Sequence, residues 1–432
     1  MPCCGGGVKK LIFLKAKCLR IAMAEAKDSE GRDQKKYDVM GIGNALMDIL
    51  VSLPEEKFLT FRIEKGTMSL VNEARVKEIE EKLLGHEQSL EPGGASANTL
   101  SCLALLGSKV IFVGTVGKDR HGDIYEKKLI ETGVESRIGR KEGMTGKAIT
   151  LITPDTQRTF AVHIGCASKI GHESILENDI RDSRILYITA YELVDELLRK
   201  TCLHAMELAK KHGTLIALDL ADVNVIKGNL HDLVYVADKY VDVLLANEAE
   251  AEAFTGKKRE NAAMEMSSHS KICAVKLGPE GSIIVQDGKM SMVEGRLANA
   301  VDTTGAGDMY AAGILYGIAN GLGLEKAANL GSFLGAKVVE KVGARLTKEE
   351  ISGVHNVFSV PEEKPEVDGD SIHSSEIVAL GDGKFNVASK KEKGKYYMVD
   401  MNTKWCECPS FYYHKKECKH MQAVKDYMLR QE

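Results

Sequence analysis

Asp302-Thr303-Thr304-Gly305-Ala306-Gly307-Asp308 is the stretch on which the reading of this 432-residue chain turns. An apolar, strand-like run arrives from before it. Two glycines separated by one alanine permit a tight turn and a close backbone approach to a ligand. A helix rich in small residues follows, from Asp308 to Tyr316. Such a turn aims unpaired backbone N–H groups at one spot, and the helix dipole adds positive potential there, so Gly305, Ala306 and Gly307 form a hole suited to a phosphate. Asp308 sets a carboxylate beside that hole, where it has a use as acceptor of a proton from an attacking hydroxyl. At a helix N-terminus it is expected to stay ionised at neutral pH. A capping aspartate after an ordinary turn has the same residues, and the rest of the chain has to separate the two readings.

Upstream, apolar strands alternate with stretches of helical period. Val39–Gly43, Val110–Val113, Ile185–Ile188, Leu215–Leu218, Val241–Leu245 and Ile272–Val275 read as buried strands, and Glu192–Lys211 is one of the helical stretches. This alternation predicts an α/β fold, a mostly parallel sheet with helices on both faces. Polar residues follow the strands: Asn44 and Asp48 after the first, Asp219 after the Leu215 strand, Asn247 and Glu250 after the Val241 strand, Lys276 and Gly278 after the Ile272 strand. Ligands of open α/β sheets bind outside the carboxyl ends of strands, so these residues point to one site. Two further stretches, Ile49–Leu70 and Gly146–Gly165, read as antiparallel β material, the second around a Pro154-Asp155 turn.

The Asp302–Asp308 stretch resembles the C-terminal signature of the PfkB (ribokinase-like) family of sugar and nucleoside kinases. The family's other signature is matched by Glu91-Pro92-Gly93-Gly94-Ala95-Ser96-Ala97-Asn98-Thr99, running on to Phe112-Val113-Gly114-Thr115-Val116-Gly117-Lys118-Asp119. The resemblance spans about Tyr37 to Phe358 and implies a ribokinase-like sheet with a small β lid, formed by the two antiparallel stretches, over the substrate. It implies ATP as phosphoryl donor and Mg²⁺ as its counterion. Asp308 matches the family's base, and Asp48 the aspartate that takes sugar hydroxyls. Gly93, Gly94 and Asn98 match the sugar pocket, with Asn44 beside Asp48. Asn247 and Glu250 match an N-x-x-E motif that orders Mg²⁺, although a glutamate-rich helix start has the same look. Lys276, Gly278 and Thr303 fall on the nucleotide side. Arg158, on the lid hairpin, is within reach of a phosphate or base, but an arginine there ordinarily reads as solvated; His163 reads as a lid packing residue. The Gly41–Asp48, Lys65–Met68 and Gln157–Phe160 stretches look most like the adenosine-kinase-like branch; fructokinase-like and ribokinase-like substrates stay open. A homodimer through the lid is a further expectation, and a ligand-sensing regulatory protein on the same fold is the reading of another class.

Both ends fall outside this unit. Residues 1–36 read as an extension: a disordered tail, a lipidated Cys3-Cys4 beside lysines, or the product of a start placed upstream of Met23. Residues 37–358 are the kinase-like domain. Residues 359–375, acidic and proline-bearing, read as a linker. In 376–432, Cys406-x-Cys408 and Cys418-x-His420 give four ligands of the kind zinc prefers. The spacing resembles the SWIM zinc finger, with Phe385–Val399 as its hairpin, a helix from Met421, and His414 as a competing ligand. This resemblance implies a structural Zn²⁺ and a nucleic-acid or protein partner; lysines and aromatics interleaved from Lys390 to Lys419 lean toward nucleic acid. Seven other cysteines are scattered from Cys3 to Cys273, which suggests reduced thiols and a cytoplasmic setting. A net charge of −4 gives no global nucleic-acid footprint, and no apolar run reaches transmembrane length.

Overall fold

Both faces of the central strands are apolar, and this puts the strands between two layers of helices. In the computed structural model, which describes residues 35–155, 157–354, 377–389, 395–408 and 418–429, Val39, Ile185, Tyr187, Ala217 and Leu245 face one core, and Met40, Ile42, Leu186, Ile188, Leu218 and Leu244 face another. The chain divides into two compact units, Met1–Ser359 and Val360–Glu432.

In the first unit the elements run in the order β1 (Tyr37–Ile42), β2 (Leu46–Ser52), α1 (Glu55–Leu59), β3 (Met68–Leu70), α2 (Glu73–Lys82), β4 (Ser89–Gly93), α3 (Ala95–Leu105), β5 (Val110–Gly117), α4 (Arg120–Glu131), β6 (Glu135–Lys141), β7 (Gly146–Ile152) and β8 (Arg158–His163). They continue through α5 (Glu177–Arg181), β9 (Ser183–Thr189), α6 (Glu196–Lys211), β10 (Leu215–Asp219), α7 (Val223–Tyr240), β11 (Val243–Asn247), α8 (Glu248–Thr255), α9 (Arg259–Met266), β12 (Ile272–Lys276), β13 (Gly281–Gln286), β14 (Lys289–Glu294), α10 (Ala306–Ala319) and α11 (Leu324–Val339). A nine-stranded sheet has the order β14-β13-β12-β11-β10-β9-β1-β5-β6. It is parallel from β6 to β12, and β13 and β14 close it as antiparallel strands. From β1 the chain first moves outward to β5 and β6, then returns to the other side of β1 for β9 to β12. The switch point between β1 and β9 is where such sheets open a crevice at their strand ends. All six expected strands form.

A second sheet, β3-β8-β7-β2-β4, is the expected lid. Its make-up differs from the sequence reading. The β7–β8 hairpin is antiparallel as expected, but β2 runs parallel to β7, residues between β2 and β3 include helix α1, and Ser89–Gly93, not expected as a strand, pairs antiparallel with β2. The run before Asp302 also differs: β14 ends at Glu294 and the backbone from 295 to 303 is irregular. Helices α10 and α11 approach closely where Gly313 meets Gly331; a Cβ at Gly313 would lie 2.3 Å from the backbone nitrogen of Gly331.

In the second unit β15 (Ile377–Gly381), β16 (Lys384–Ala388), β17 (Tyr396–Asp400) and β18 (Trp405–Cys406) form an antiparallel sheet in chain order. The expected hairpin is present, with Phe385 opposite Val399. Helix α12 (Lys419–Leu429) packs with Phe385, Val387, Tyr397 and Val399 through Met421 and Val424. Residues 1–34, the body of the expected linker, and His414 lie outside the described residues. No described helix is long and apolar enough to cross a membrane.

Candidate active site

Asp302 fixes the loop that leads into α10. Its Oδ1 accepts from the Thr304 amide at 3.0 Å, and its Oδ2 accepts from the Gly343 amide at 2.7 Å. Gly305 then turns with φ of +80°, and a Cβ there would meet Ala344 at 2.7 Å, so only glycine passes without strain. The amides of Ala306 and Gly307 open α10, and Asp308 lies in its first turn. Lys276, at the end of β12, comes to the same place: a Cβ built on Gly307 would be 3.3 Å from its Nζ. Thr303 is exposed, and its carbonyl accepts from the Ala306 amide.

Helix α3 brings the second signature to the first. Asn98 Nδ2 donates to Asp308 Oδ2 at 3.0 Å, and Thr99 Oγ1 donates to the Asp308 carbonyl at 3.2 Å. Asp48, in the middle of β2, presses against Gly93: a Cβ there would be 2.1 Å from Asp48 Oδ1, so any side chain would displace the carboxylate. Gly94 caps α3 with positive φ. Asp48, Arg158, Thr304 and Arg345 line one cavity of about 1040 Å³. Asn44 is turned to the protein instead: its N and Nδ2 both donate to Glu192 Oε1, at 3.1 and 3.0 Å, and Glu192 is itself buried and held by Thr189.

At the end of β11, Asn247 and Glu250 satisfy each other. Glu250 N donates to Asn247 Oδ1 at 2.8 Å, and Asn247 N and Nδ2 donate back to the carboxylate at 2.7 and 2.6 Å. This reciprocal cap accounts for the motif locally. Asp219 accepts from Lys276 Nζ at 3.0 and 3.3 Å. Carboxylates gathered near the anion hole and already committed to protein donors suit a hydrated hard cation, bound through its waters. Gly278 opens a short 3-10 turn after β12 with φ of +59°.

The electrostatics correct one expectation. Removal from bulk water pushes Asp308 up to about 7; the Asn98 hydrogen bond and Lys276 oppose the rise, and Asp219 and Asp48 add to it. The helix dipole alone does not keep this carboxylate fully ionised at neutral pH. Asp48 is likewise pushed up to about 7 by desolvation, against the pull of Arg345. Desolvation also raises Glu250 to about 7, with Lys276 opposing. Burial draws Lys276 down, but Asp219 and Glu250 outweigh it and hold its ammonium above the usual range.

Arg158 is a second correction. It is not solvated: its Nη1 pairs with Asp302 Oδ2 at 2.5 Å and reaches Thr304 Oγ1 at 3.3 Å. His163 packs in the lid, its Nδ1 3.0 Å from the Val71 carbonyl. Glu192 and Arg345 were not singled out in the sequence. Glu192 sits within a helical stretch like any exposed glutamate, and Arg345 follows a helix in no recognisable pattern.

In the second unit Cys406, Cys408, Cys418 and His420 are all buried, with ligand atoms within 4.8 Å of one another. Two sulfurs on a tetrahedral zinc lie roughly 3.8 Å apart. Both His420 ring nitrogens are buried without a hydrogen-bond partner, and a metal held with the three thiols would take one of them.

An open parallel sheet, a second sheet beside it and a cavity lined by residues of both charges, among them Asp48, Arg158 and Arg345, are the features of the first unit that bear on its class. Residues 68–351 match the model of the pfkB family carbohydrate kinases, and the chain belongs to that family. It is a kinase acting on an alcohol group. The chain is 30% identical over 247 residues to an uncharacterized sugar kinase of Archaeoglobus fulgidus, covering 56% of this chain and 96% of that one. It is 27% identical over 278 residues to the ribokinase of Haemophilus influenzae, covering 61% and 86%. Among solved structures, the adenosine kinase of Sinorhizobium meliloti superposes with a TM-score of 0.68 at 27% identity, over 74% of this chain and 99% of that one.

Proposed function

We propose that the first unit transfers the γ-phosphoryl group of ATP to the hydroxymethyl group of a sugar or nucleoside, with adenosine-like acceptors favoured. The observation that carries this is the placement of Asp48 on the wall of a lidded cavity and of Asp308 at the anion hole, joined to the pocket by Asn98. A volume of about 1040 Å³ is ample for a base as well as a sugar, and the likeness to an adenosine kinase supports the same branch. Asp48, Gly93, Gly94 and Asn98 bind the acceptor, and Asn44 braces its pocket. The acceptor oxygen bonds to the γ-phosphorus, its proton passes to Asp308, and the bond to the bridging oxygen breaks to release ADP. Gly305, Ala306, Gly307 and Lys276 receive the charge of the transferring group. Thr303 and Gly278 border the nucleotide, and Asn247, Glu250 and Asp219 hold a hydrated Mg²⁺. When bound, that ion supplies charge neutralisation to the phosphates.

The second unit is read as a SWIM-type module with one structural Zn²⁺ on Cys406, Cys408, Cys418 and His420, serving a nucleic-acid or protein partner. A cytoplasmic setting is supported by a nucleotide-dependent reaction and by the buried thiols of Cys102, Cys166, Cys202 and Cys273, which form no disulfide. A homodimer through the lid is supported by exposed Met68 and Leu70 on its edge strand β3.

The deciding experiment is a panel of adenosine, ribose and fructose with MgATP. Highest kcat/KM for adenosine is expected. A preference for ribose or fructose would move the assignment to the sugar-kinase readings. Tight binding without turnover of any acceptor would favour a ligand sensor.

A further inference from the structure

Among the described residues, Arg345 is a part-exposed cation on the cavity wall that makes no ion pair. Its Nε donates to Asn98 Oδ1 at 3.1 Å, and its Nη2 is buried with no hydrogen-bond partner. A buried, unpaired donor on a charged group is costly unless something fills it. The chain holds Arg345 there deliberately: Gly343 is tied to Asp302, and Ala344 abuts Gly305, so the segment carrying Arg345 is locked to the anion-hole loop.

Arginine only donates, so it can face only the oxygen of the Asn98 amide. That leaves the Asn98 Nδ2 for Asp308 and fixes the amide in the orientation that favours an ionised carboxylate. Asp48, on the same cavity wall, accepts when ionised. A hydroxyl both accepts and donates, so a wall on which Arg345 can only donate and ionised Asp48 accepts matches a polyhydroxylated acceptor.

We propose that Arg345 is a specificity-determining residue of the acceptor site: its free Nη2 donates to a hydroxyl oxygen of a ribosyl or sugar acceptor, and its Nε, through Asn98, aims the Asp308 carboxylate. The inference rests on the kinase reading given above and adds the group that reads the substrate oxygen. Asn98 is thereby a positioning residue as well as a pocket residue, and Arg345 couples the choice of substrate to the orientation of the base.

The test compares the wild type with Arg345→Lys and Arg345→Met on adenosine, 2′-deoxyadenosine and 3′-deoxyadenosine, with ligand-free unfolding recorded for each protein. The wild type is expected to prefer the full ribosyl acceptor over one deoxy analogue by on the order of 100-fold or more. Arg345→Met should shrink that preference to a few-fold, lower kcat at least about tenfold, and leave the KM for ATP unchanged; Arg345→Lys should fall between. Because loss of the Nε–Asn98 hydrogen bond is offset by relief of the buried, unpartnered Nη2, Arg345→Met should move the unfolding midpoint by less than about 2 °C. An unchanged preference in Arg345→Met would overturn the assignment. So would a collapse of its folding, with Arg345→Lys stable but unaltered in preference, since that marks a structural arginine. If the wild type phosphorylates none of the three, the acceptor reading fails separately. The unfolding midpoint of Arg345→Met then decides for or against a ligand-facing arginine by itself.

Discussion

Arg158 of the lid and Asp302 of the anion-hole loop are joined as an ion pair, with side chains only 14% and 3% exposed. Asp302 also accepts from Thr304 and Gly343, so it keeps two partners without Arg158. The pair is therefore a fastening between lid and base loop more than a support of the fold. Arg158→Ala should leave the domain folded but hold the lid less firmly and admit water. The ratio of ATP hydrolysed to acceptor phosphorylated is expected to rise several-fold. An unchanged ratio would assign the pair no part in closure.

Asp308→Asn should keep the fold and ATP binding and lower kcat by about 10³-fold or more, measured by steady-state kinetics. The wild-type rate should climb with pH up to about 7 and then level, because the base works only when ionised and burial has pushed it up to about 7. Near-normal turnover in the variant would remove Asp308 from the chemistry.

The same carboxyl has a stability consequence of known sign. Its folded value, about 7, lies above the ordinary value of 3.8. Between those values the folded state holds a proton that the unfolded state has lost, so stability falls as pH rises through the window and the full penalty stands above about 7. Asp308→Asn removes the penalty. Ligand-free variant should exceed wild type by about 1–3 kcal/mol at pH 8, allowing for water on the cavity side, and by little at pH 4. Denaturant titrations at both pH values check this.

Asp48→Ala should raise the acceptor KM at least about tenfold while the ATP KM stays within about twofold. Equal weakening of both would place Asp48 outside the acceptor pocket.

The parallel sheet was legible because its strands are apolar on both faces, and the tight turn into α10 because Gly305 and Gly307 stand at a helix start. Asp48, Asn98 and Asp308 were legible from signature matches, and Asn98 and Asp308 do meet, 210 residues apart in the chain. What stayed hidden depends on long-range packing. The parallel pairing of β2 with β7 leaves no local mark, since period-two alternation is the same in either direction. Arg158 looked solvated because nothing near it in sequence announces Asp302. Arg345 became visible only once Gly343 and Ala344 were seen against the loop of Asp302 and Gly305. The pKa of Asp308 escaped because desolvation outweighs the helix dipole, and burial of one carboxyl cannot be read from its neighbours in the chain.

Chelation should release one Zn²⁺ per chain and unfold the sheet and helix of the second unit, because metal binding there is folding energy. Circular dichroism and metal content of Cys418→Ser check the ligand set, full zinc occupancy being the contrary result. A chain ending near Pro361 should keep its kinase rate when Mg²⁺ is supplied; its loss in a folded truncation would show that the units depend on each other.

The contact of Gly313 with Gly331 bears on which part of the kinase can move. Backbone lies against backbone there, with the buried Tyr310 ring packed beside it and no room for an added side chain. Helix α10, which carries the proposed base Asp308, is therefore held close against α11 with little room to slide during a turnover cycle. In native-state hydrogen exchange, α10 and α11 should be among the last amides to open, and the strands β3 and β8 among the first. On this view the acceptor is carried to a stationary base, and the tempo of the enzyme is set by the sheet that covers it.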